Sequence, residues 1–131
     1  MPTRRLVLAA CATASLFAAL PAAAGGDVVP YNAAAFDAAH GAGASILVEV
    51  HAPWCPTCRA QAPILEDLRK APQFGELKVF RVDFDSQKDA LKRFGVRTQS
   101  TLITFKGGKE TGRSVGDTNR DSIAALLAKA I

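Results

Sequence analysis

Two cysteines separated by two residues are the part of the sequence best suited to chemistry. Cys55 and Cys58 enclose Pro56 and Thr57, directly after an apolar run and at the start of a helical pattern. In the first turn of a helix, free backbone N–H groups and the positive end of the helix dipole favour a thiolate. A thiolate is the nucleophile of disulfide exchange, so a redox-active pair is predicted. We expect Cys55 to be exposed and to attack, and Cys58, one turn further on, to be more buried and to resolve the mixed disulfide.

Two other uses of this pair are possible in principle. A structural disulfide across two residues would close almost no loop, so it would remove little entropy from the unfolded chain. A metal site would need further ligands, and the chain offers only His40 and His51 as histidines. Redox chemistry is therefore favoured, and no metal or other cofactor is predicted.

Apolar runs of strand length would position the cysteines. The run over 46–50 is almost continuously apolar, which is typical of a central strand covered on both faces, and it leads directly to the pair. Gly107 and Gly108 predict a hairpin turn between the last two strands. The other predicted strands lie at 28–31, 77–83, 101–105 and 110–115.

Helical patterns alternate with these strands. They lie at 32–40, after Cys55, at 86–94 and at the C-terminal end. Pro63 is expected to kink the second helix, and Thr118 with Asp121 predicts a capping box at the start of the last. The order βαβαβαββα predicts an α/β fold with a central mixed sheet and helices on both faces.

The first 24 residues have the composition of a secretory signal peptide. Arg4 and Arg5 precede an apolar run over 6–20, and three alanines then offer a cleavage site. We expect a signal peptide at 1–24, one folded domain at 25–131, and export to the bacterial periplasm. An uncleaved membrane anchor stays an alternative, and the twin arginine leaves the export route open.

The composition argues against several classes of protein. The 131 residues, of which 49% are apolar and 21% charged, are enough for one domain and too ordinary for a disordered chain. The formal net charge of +4 comes from scattered basic residues, so no nucleic-acid partner is predicted. The chain has no glycine-rich phosphate loop, which argues against nucleotide chemistry.

From residue 25 onwards the sequence resembles the thioredoxin family. The segments that carry the resemblance are 46–55, 62–65, 81–85, 94–97, 101–108 and Gly116. The resemblance implies a thioredoxin-like fold and thiol-disulfide exchange with protein substrates.

Glu49 interrupts the apolar strand six residues before Cys55. The family usually has an aspartate here, which accepts the proton of the second cysteine, so the resemblance implies that Glu49 serves Cys58 in the same way. The alternative is a strand residue whose carboxylate reaches solvent or forms an ion pair, for example with Arg81.

Two further residues flank the nucleophile. Trp54, the only tryptophan of the chain, is predicted to form part of the substrate-docking surface, with simple packing as the alternative. His51 lies where the family often has an aromatic residue. A structural role is favoured for it over donation of charge to the thiolate.

Ser100 stands at a position where the sequence departs from the family. The gap-free match from 95 to 108 places it where the family has a cis-proline that faces the cysteines. A cis peptide before a non-proline residue costs about 2.5–4 kcal/mol, so the bond between Gln99 and Ser100 is predicted to be trans. Both residues are predicted to bind substrate in a reshaped loop. Ser100 is expected to hydrogen-bond a thiolate, or to leave room for a metal beside the sulfurs.

The direction of electron flow depends on how strongly the thiolate is stabilised. Pro56 and Thr57 include no histidine or arginine, whereas a strong oxidase needs a very low cysteine pKa. The sequence therefore favours an exported, monomeric reductase or isomerase of protein disulfides, with a membrane-embedded thiol carrier as its electron donor. An exported oxidase, or a non-catalytic module that binds metal through Cys55, Cys58 and His51, stays an alternative.

Overall fold

A computed structural model describes residues 27–131, so the predicted signal peptide at 1–24 lies outside the described residues. The elements are β1 Val28–Pro30, α1 Ala33–Gly41, β2 Ile46–His51, α2 Pro56–Lys70, β3 Lys78–Asp83, α3 Lys88–Phe94, β4 Thr101–Lys106, β5 Lys109–Val115 and α4 Arg120–Ala128. A short 3₁₀ turn, Pro72–Phe74, joins α2 to β3. Each helix among residues 27–131 is too short or too polar to be a candidate membrane span.

The strands form one mixed sheet in the order β1-β3-β2-β4-β5. β3 pairs in parallel with both β1 and β2, whereas β4 pairs antiparallel with β2 and β5. The central position of β2 agrees with its nearly continuous apolar sequence, which is typical of a strand covered on both faces. Its residues from Ile46 to Val50 are all buried. The predicted α/β order and mixed sheet are confirmed.

Helices cover both faces of the sheet, and β2 contributes alternate side chains to the two cores. Val48 packs in a cluster with Phe36 of α1 and Phe94 of α3. Leu47 points the other way, into a cluster that includes Leu65 of α2 and residues of α4. The carboxyl end of β2 is therefore fixed from both sides, immediately before the cysteines.

The start of α4 differs from its prediction by one residue. Asn119, not Thr118, is the N-cap, and its side-chain oxygen accepts a hydrogen bond from the Ser122 N–H at 3.0 Å. The prediction of a capping box formed by Thr118 and Asp121 was therefore wrong. Both Asn and Thr are good N-caps, and the Asp117 carboxylate, which accepts the Asn119 N–H at 2.9 Å, turns the chain so that Asn119 takes this place.

Pro63 lies inside α2, and the helical assignment runs unbroken from Pro56 to Lys70. The predicted kink at this residue stays a prediction.

α3 begins at Lys88, two residues later than expected, because the Asp83 carboxylate accepts hydrogen bonds from the N–H groups of Asp85 and Ser86 and holds them in a turn.

The assignment of the α4 cap predicts unequal effects of two neighbouring substitutions. Asn119→Ala removes the capping hydrogen bond and should lower the free energy of unfolding by about 1 kcal/mol. Thr118→Ala removes no capping bond and should change it by less than about 0.5 kcal/mol. Urea unfolding of both variants measures the difference, and a larger loss for Thr118→Ala would show that the cap is assigned to the wrong residue.

Candidate active site

The junction of β2 and α2 places the first cysteine at a helix N-terminus. Cys55 is the N-cap of α2, with φ −81° and ψ 114°, and its Sγ accepts a hydrogen bond from the Cys58 N–H at 3.1 Å. Pro56 occupies the first turn, where a residue without an N–H loses no helical hydrogen bond. The sulfur therefore takes the role that a serine or aspartate oxygen usually has at this position.

The Ser100 side chain joins the two cysteines from the opposite side. Its Oγ lies 3.1 Å from Cys55 Sγ and 3.0 Å from Cys58 Sγ. Ser100 is only 2% exposed, so this contact lies in the interior. The expectation that Ser100 reaches a sulfur therefore agrees with the geometry, and the hydroxyl reaches both sulfurs at once.

The backbone of Ser100 is held in an uncommon conformation by neighbouring elements. Its φ of +61° is the only positive value at a non-glycine residue in 27–131, and no peptide bond in this range is cis, as predicted for Gln99–Ser100. The Ser100 N–H donates to Val50 O at 2.9 Å, and its carbonyl accepts from the Gly116 N–H at 3.0 Å. Left-handed backbone at a non-glycine residue costs on the order of 1–3 kcal/mol, which these contacts must offset.

Gln61 is a site residue that the sequence analysis missed. It is almost fully buried on α2, and its Nε2 donates to Ser100 O at 3.2 Å and to Asp117 O at 2.7 Å. One amide group thus fixes the Ser100 loop and the loop before α4 to the helix that carries the cysteines. A glutamine one turn after Cys58 on an apolar helix face was the available signal.

The two thiols have pKa shifts of opposite sign. Burial raises the pKa of Cys55, but hydrogen bonds from Cys58, Ser100 and the backbone outweigh it, so the pKa is lower than usual. Burial and the Cys55 thiol raise the pKa of Cys58, and the contact with Ser100 only partly opposes them. These directions give Cys55 the greater thiolate character, which suits the attacking residue.

Cys55 is not exposed, which corrects the prediction. It is 1% exposed and Cys58 is 3% exposed, so the expected difference in burial is absent. The reason is that the Cys55 side chain turns back to cap α2, and its sulfur lies against Ser100 and in a small cluster with Ala52 and Phe84. A substrate must displace part of this cover to reach the sulfur.

Trp54 is the exposed group beside the buried sulfurs. The residue is 52% exposed, while its Nε1 donates to Asp85 Oδ2 at 2.9 Å and its ring lies edge-on to Phe84, 6.4 Å between centroids. The indole is thus fixed along one edge and open to solvent elsewhere. Its role in docking stays a prediction, as does that of Gln99, which is half-buried.

Glu49 forms the ion pair that the sequence left open. Its carboxylate is buried, Oε1 accepts from Arg81 at 3.0 Å, and Oε2 lies 4.0 Å from Arg69. No hydrogen bond within residues 27–131 joins Glu49 to Cys55 or Cys58. Its role as a proton acceptor for Cys58 stays a prediction.

His51 lies at the end of β2, opposite Asp83 in the parallel pair with β3. Burial and the nearby Arg81 guanidinium lower its pKa. In the part of the chain that is described, no three His, Cys, Asp or Glu side chains are grouped as metal ligands. The alternative in which His51 completes a metal site with the two cysteines therefore has no geometric support.

Comparisons with known proteins agree with the resemblance seen in the sequence. The family model described as Thioredoxin matches residues 27–129. The thioredoxin of Chlamydia muridarum is 38% identical over 84 residues, which are 64% of this chain and 80% of that protein. The thioredoxin of Pseudomonas aeruginosa is 35% identical over 82 residues, which are 63% and 75% of the two chains.

Solved structures agree as well. The crystal structure of Trxlp from Edwardsiella tarda EIB202 is 44% identical, has a TM-score of 0.75, and covers 77% of this chain and 98% of that one. The Malassezia sympodialis thioredoxin is 22% identical with a TM-score of 0.70, over 79% of this chain and 92% of that one, and supports the fold alone. The predicted thioredoxin-like fold is confirmed.

The contact between Ser100 and Cys55 predicts a shift in thiol reactivity. Ser100→Ala removes a hydrogen bond that favours the thiolate, so the pKa of Cys55 should rise. The variant should then react more slowly with iodoacetamide at pH values below the midpoint, and the two proteins should converge above it. Mass spectrometry of carbamidomethylated Cys55 across a pH series measures this.

The matched control is Ser114→Ala, because the Ser114 hydroxyl is buried without a hydrogen-bond partner among residues 27–131. Its pH profile should equal that of the unsubstituted protein. An unchanged profile for Ser100→Ala would mean that the hydroxyl does not stabilise the thiolate.

Proposed function

Because the chain belongs to the thioredoxin family, we propose that it is an exported oxidoreductase that reduces or isomerises disulfide bonds in other proteins. Thiol-disulfide exchange is the activity of its relatives, and the chain is a thiol-disulfide oxidoreductase. The observation that carries the assignment is the Cys55 sulfur at the N-terminus of α2, with the Cys58 thiol joined to it through Ser100.

The proposed reaction uses the two sulfurs in a fixed order. The Cys55 thiolate attacks one sulfur of a substrate disulfide, and the other substrate sulfur leaves with the electron pair. Cys58 then attacks Cys55 Sγ in the mixed disulfide, which releases the second substrate thiol and leaves a Cys55–Cys58 disulfide. The opposite pKa shifts of the two thiols support this order, since the residue with more thiolate attacks first.

The balance of interactions at Cys55 supports the reducing direction. The largest influences on its pKa are burial, which disfavours the thiolate, and hydrogen bonds, which favour it. No cation is among them, whereas a strongly oxidising pair depends on a very stable thiolate. A reductase outside the cytosol needs a supply of electrons, and we propose a membrane-embedded thiol carrier as the donor.

The N-terminal segment supports export to the bacterial periplasm. Arg4 and Arg5 precede the apolar run over 6–20, and the family match begins only at residue 27. We propose that residues 1–24 are a signal peptide and that the remaining chain acts as a monomer.

The equilibrium reduction potential of the Cys55–Cys58 pair tests the reducing direction. In glutathione buffers we expect a value near or below about −220 mV, in the range of thioredoxin-like and glutaredoxin-like reductants. A value near about −120 mV would instead assign the protein as an oxidase that introduces disulfides. Cys55→Ser and Cys58→Ser, which cannot form the internal disulfide, provide the baseline.

Trapping of mixed disulfides tests the order of attack and the place of action. In cells expressing the full chain, Cys58→Ser should accumulate mixed disulfides with other proteins, because the resolving thiol is missing. A reductant should cleave these adducts. Cys55→Ser should form none. Mass spectrometry of the adducts should identify exported proteins joined to a chain that begins after residue 24. Adducts with cytosolic proteins on an uncleaved chain would contradict export.

A further inference from the structure

We propose that the Ser100 hydroxyl is a catalytic proton relay, which takes the proton of Cys58 and delivers it to the departing substrate sulfur. The inference rests on the proposed function, in which a mixed disulfide at Cys55 is resolved by Cys58. It adds a catalytic role to a residue that the sequence assigned to substrate binding.

Resolution has to overcome an unfavourable protonation state. Burial raises the pKa of Cys58, and a protonated thiol is a poor nucleophile, so its proton must leave as the sulfur attacks. Cys58 is 3% exposed, which limits the access of water. Glu49, the carboxylate nearest in sequence to the site, is paired with Arg81 at 3.0 Å.

The position of the Ser100 hydroxyl suits a relay. A hydroxyl has one hydrogen to donate and two lone pairs to accept, so it can accept from one thiol while it donates to another sulfur. Its Oγ lies 3.0 Å from Cys58 Sγ and 3.1 Å from Cys55 Sγ. Ser100 has the only side chain among residues 27–131 that hydrogen-bonds both sulfurs.

The step balances without a further reactant. The Cys58 S–H bond breaks, and a bond forms between Cys58 Sγ and Cys55 Sγ. The bond from Cys55 Sγ to the substrate sulfur breaks, and its electron pair goes to the substrate. Ser100 Oγ receives the proton of Cys58 and gives its own hydrogen to the substrate sulfur, which leaves as a thiol. The dithiol is oxidised, the substrate is reduced, and Ser100 is regenerated.

The backbone holds the hydroxyl ready for this step. Ser100 keeps a φ of +61°, its N–H is bonded to Val50 and its carbonyl to Gly116 and Gln61. Strained conformations that the surroundings enforce are frequent where a group must be preorganised. The hydroxyl therefore need not be ordered anew for each turnover.

The relay is tested by measuring the formation of the mixed disulfide at Cys55 separately from its resolution by Cys58. Both steps are followed for two kinds of leaving thiol. Reduced protein is mixed with oxidised glutathione, whose alkyl sulfur is basic and needs a proton as it leaves the mixed disulfide, or with dithiobis(nitrobenzoate), whose aromatic thiolate leaves without a proton. Acid quenching and mass spectrometry then follow the mixed disulfide at Cys55 with time. The measured quantities are the rate of its formation and the rate of its resolution.

Two variants remove the hydroxyl with opposite effects on the backbone. Ser100→Ala keeps the strain of the positive φ, whereas Ser100→Gly relieves it. Both should slow resolution of the glutathione adduct by about 100-fold, the typical contribution of general acid–base catalysis. Resolution of the aromatic adduct should slow by a factor at least tenfold smaller than that for the glutathione adduct. Its leaving thiolate needs no proton, so only the removal of the Cys58 proton is affected. Ser114→Ala should leave both rates unchanged.

Each other outcome overturns the relay. Unchanged resolution in both variants would exclude a catalytic role for the hydroxyl. Equal slowing for the two leaving thiols would show that Ser100 only stabilises the Cys58 thiolate. If Ser100→Ala is slow and Ser100→Gly is not, the effect is one of backbone strain. The proposed function fails separately, if the unsubstituted protein forms no mixed disulfide at Cys55 with either reagent.

Discussion

The contact of one hydroxyl with two sulfurs depends on segments of the fold that are far apart in the sequence, since Ser100 lies more than 40 residues after the cysteines. Ser100 is tied to β2 through Val50, to α2 through Gln61 and to the end of β5 through Gly116. These elements meet only because β2 and β4 are neighbours in the sheet and α2 packs on one of its faces. The chemistry at the cysteines therefore depends on the placement of β2, β4 and β5 in the sheet and not merely on the local motif.

Burial is the largest single influence on the pKa of each of the two thiols, and it raises both. Removing both sulfurs from water penalises the thiolate at each of them, as the causes of both pKa shifts show. Only at Cys55 do hydrogen bonds outweigh this penalty, since its sulfur also accepts the backbone N–H of Cys58 at the start of the helix. The asymmetry between attacking and resolving thiols thus comes from their places on one helical turn.

The elements and the cysteine motif could be predicted because their signals are local. An apolar strand, a proline in the first turn and two cysteines one turn apart are contained within residues 46–58, and the structure has β2 and α2 there. The burial of Cys55 could not be predicted, because Ser100, which covers it, lies 45 residues away in the sequence. Gln61 was missed for the same reason, since its partners are carbonyl groups of two distant loops.

A proline at position 100 would be incompatible with this arrangement in three ways. Its ring fixes φ near −65°, whereas the chain here has +61°. It has no N–H to donate to Val50 O and no hydroxyl to place between the sulfurs. The loop is therefore built around serine, and the family's proline could not simply be restored by one substitution. Because the N–H and the carbonyl of Ser100 are both bonded within the protein, the contribution of this residue to a bound substrate must come from its side chain.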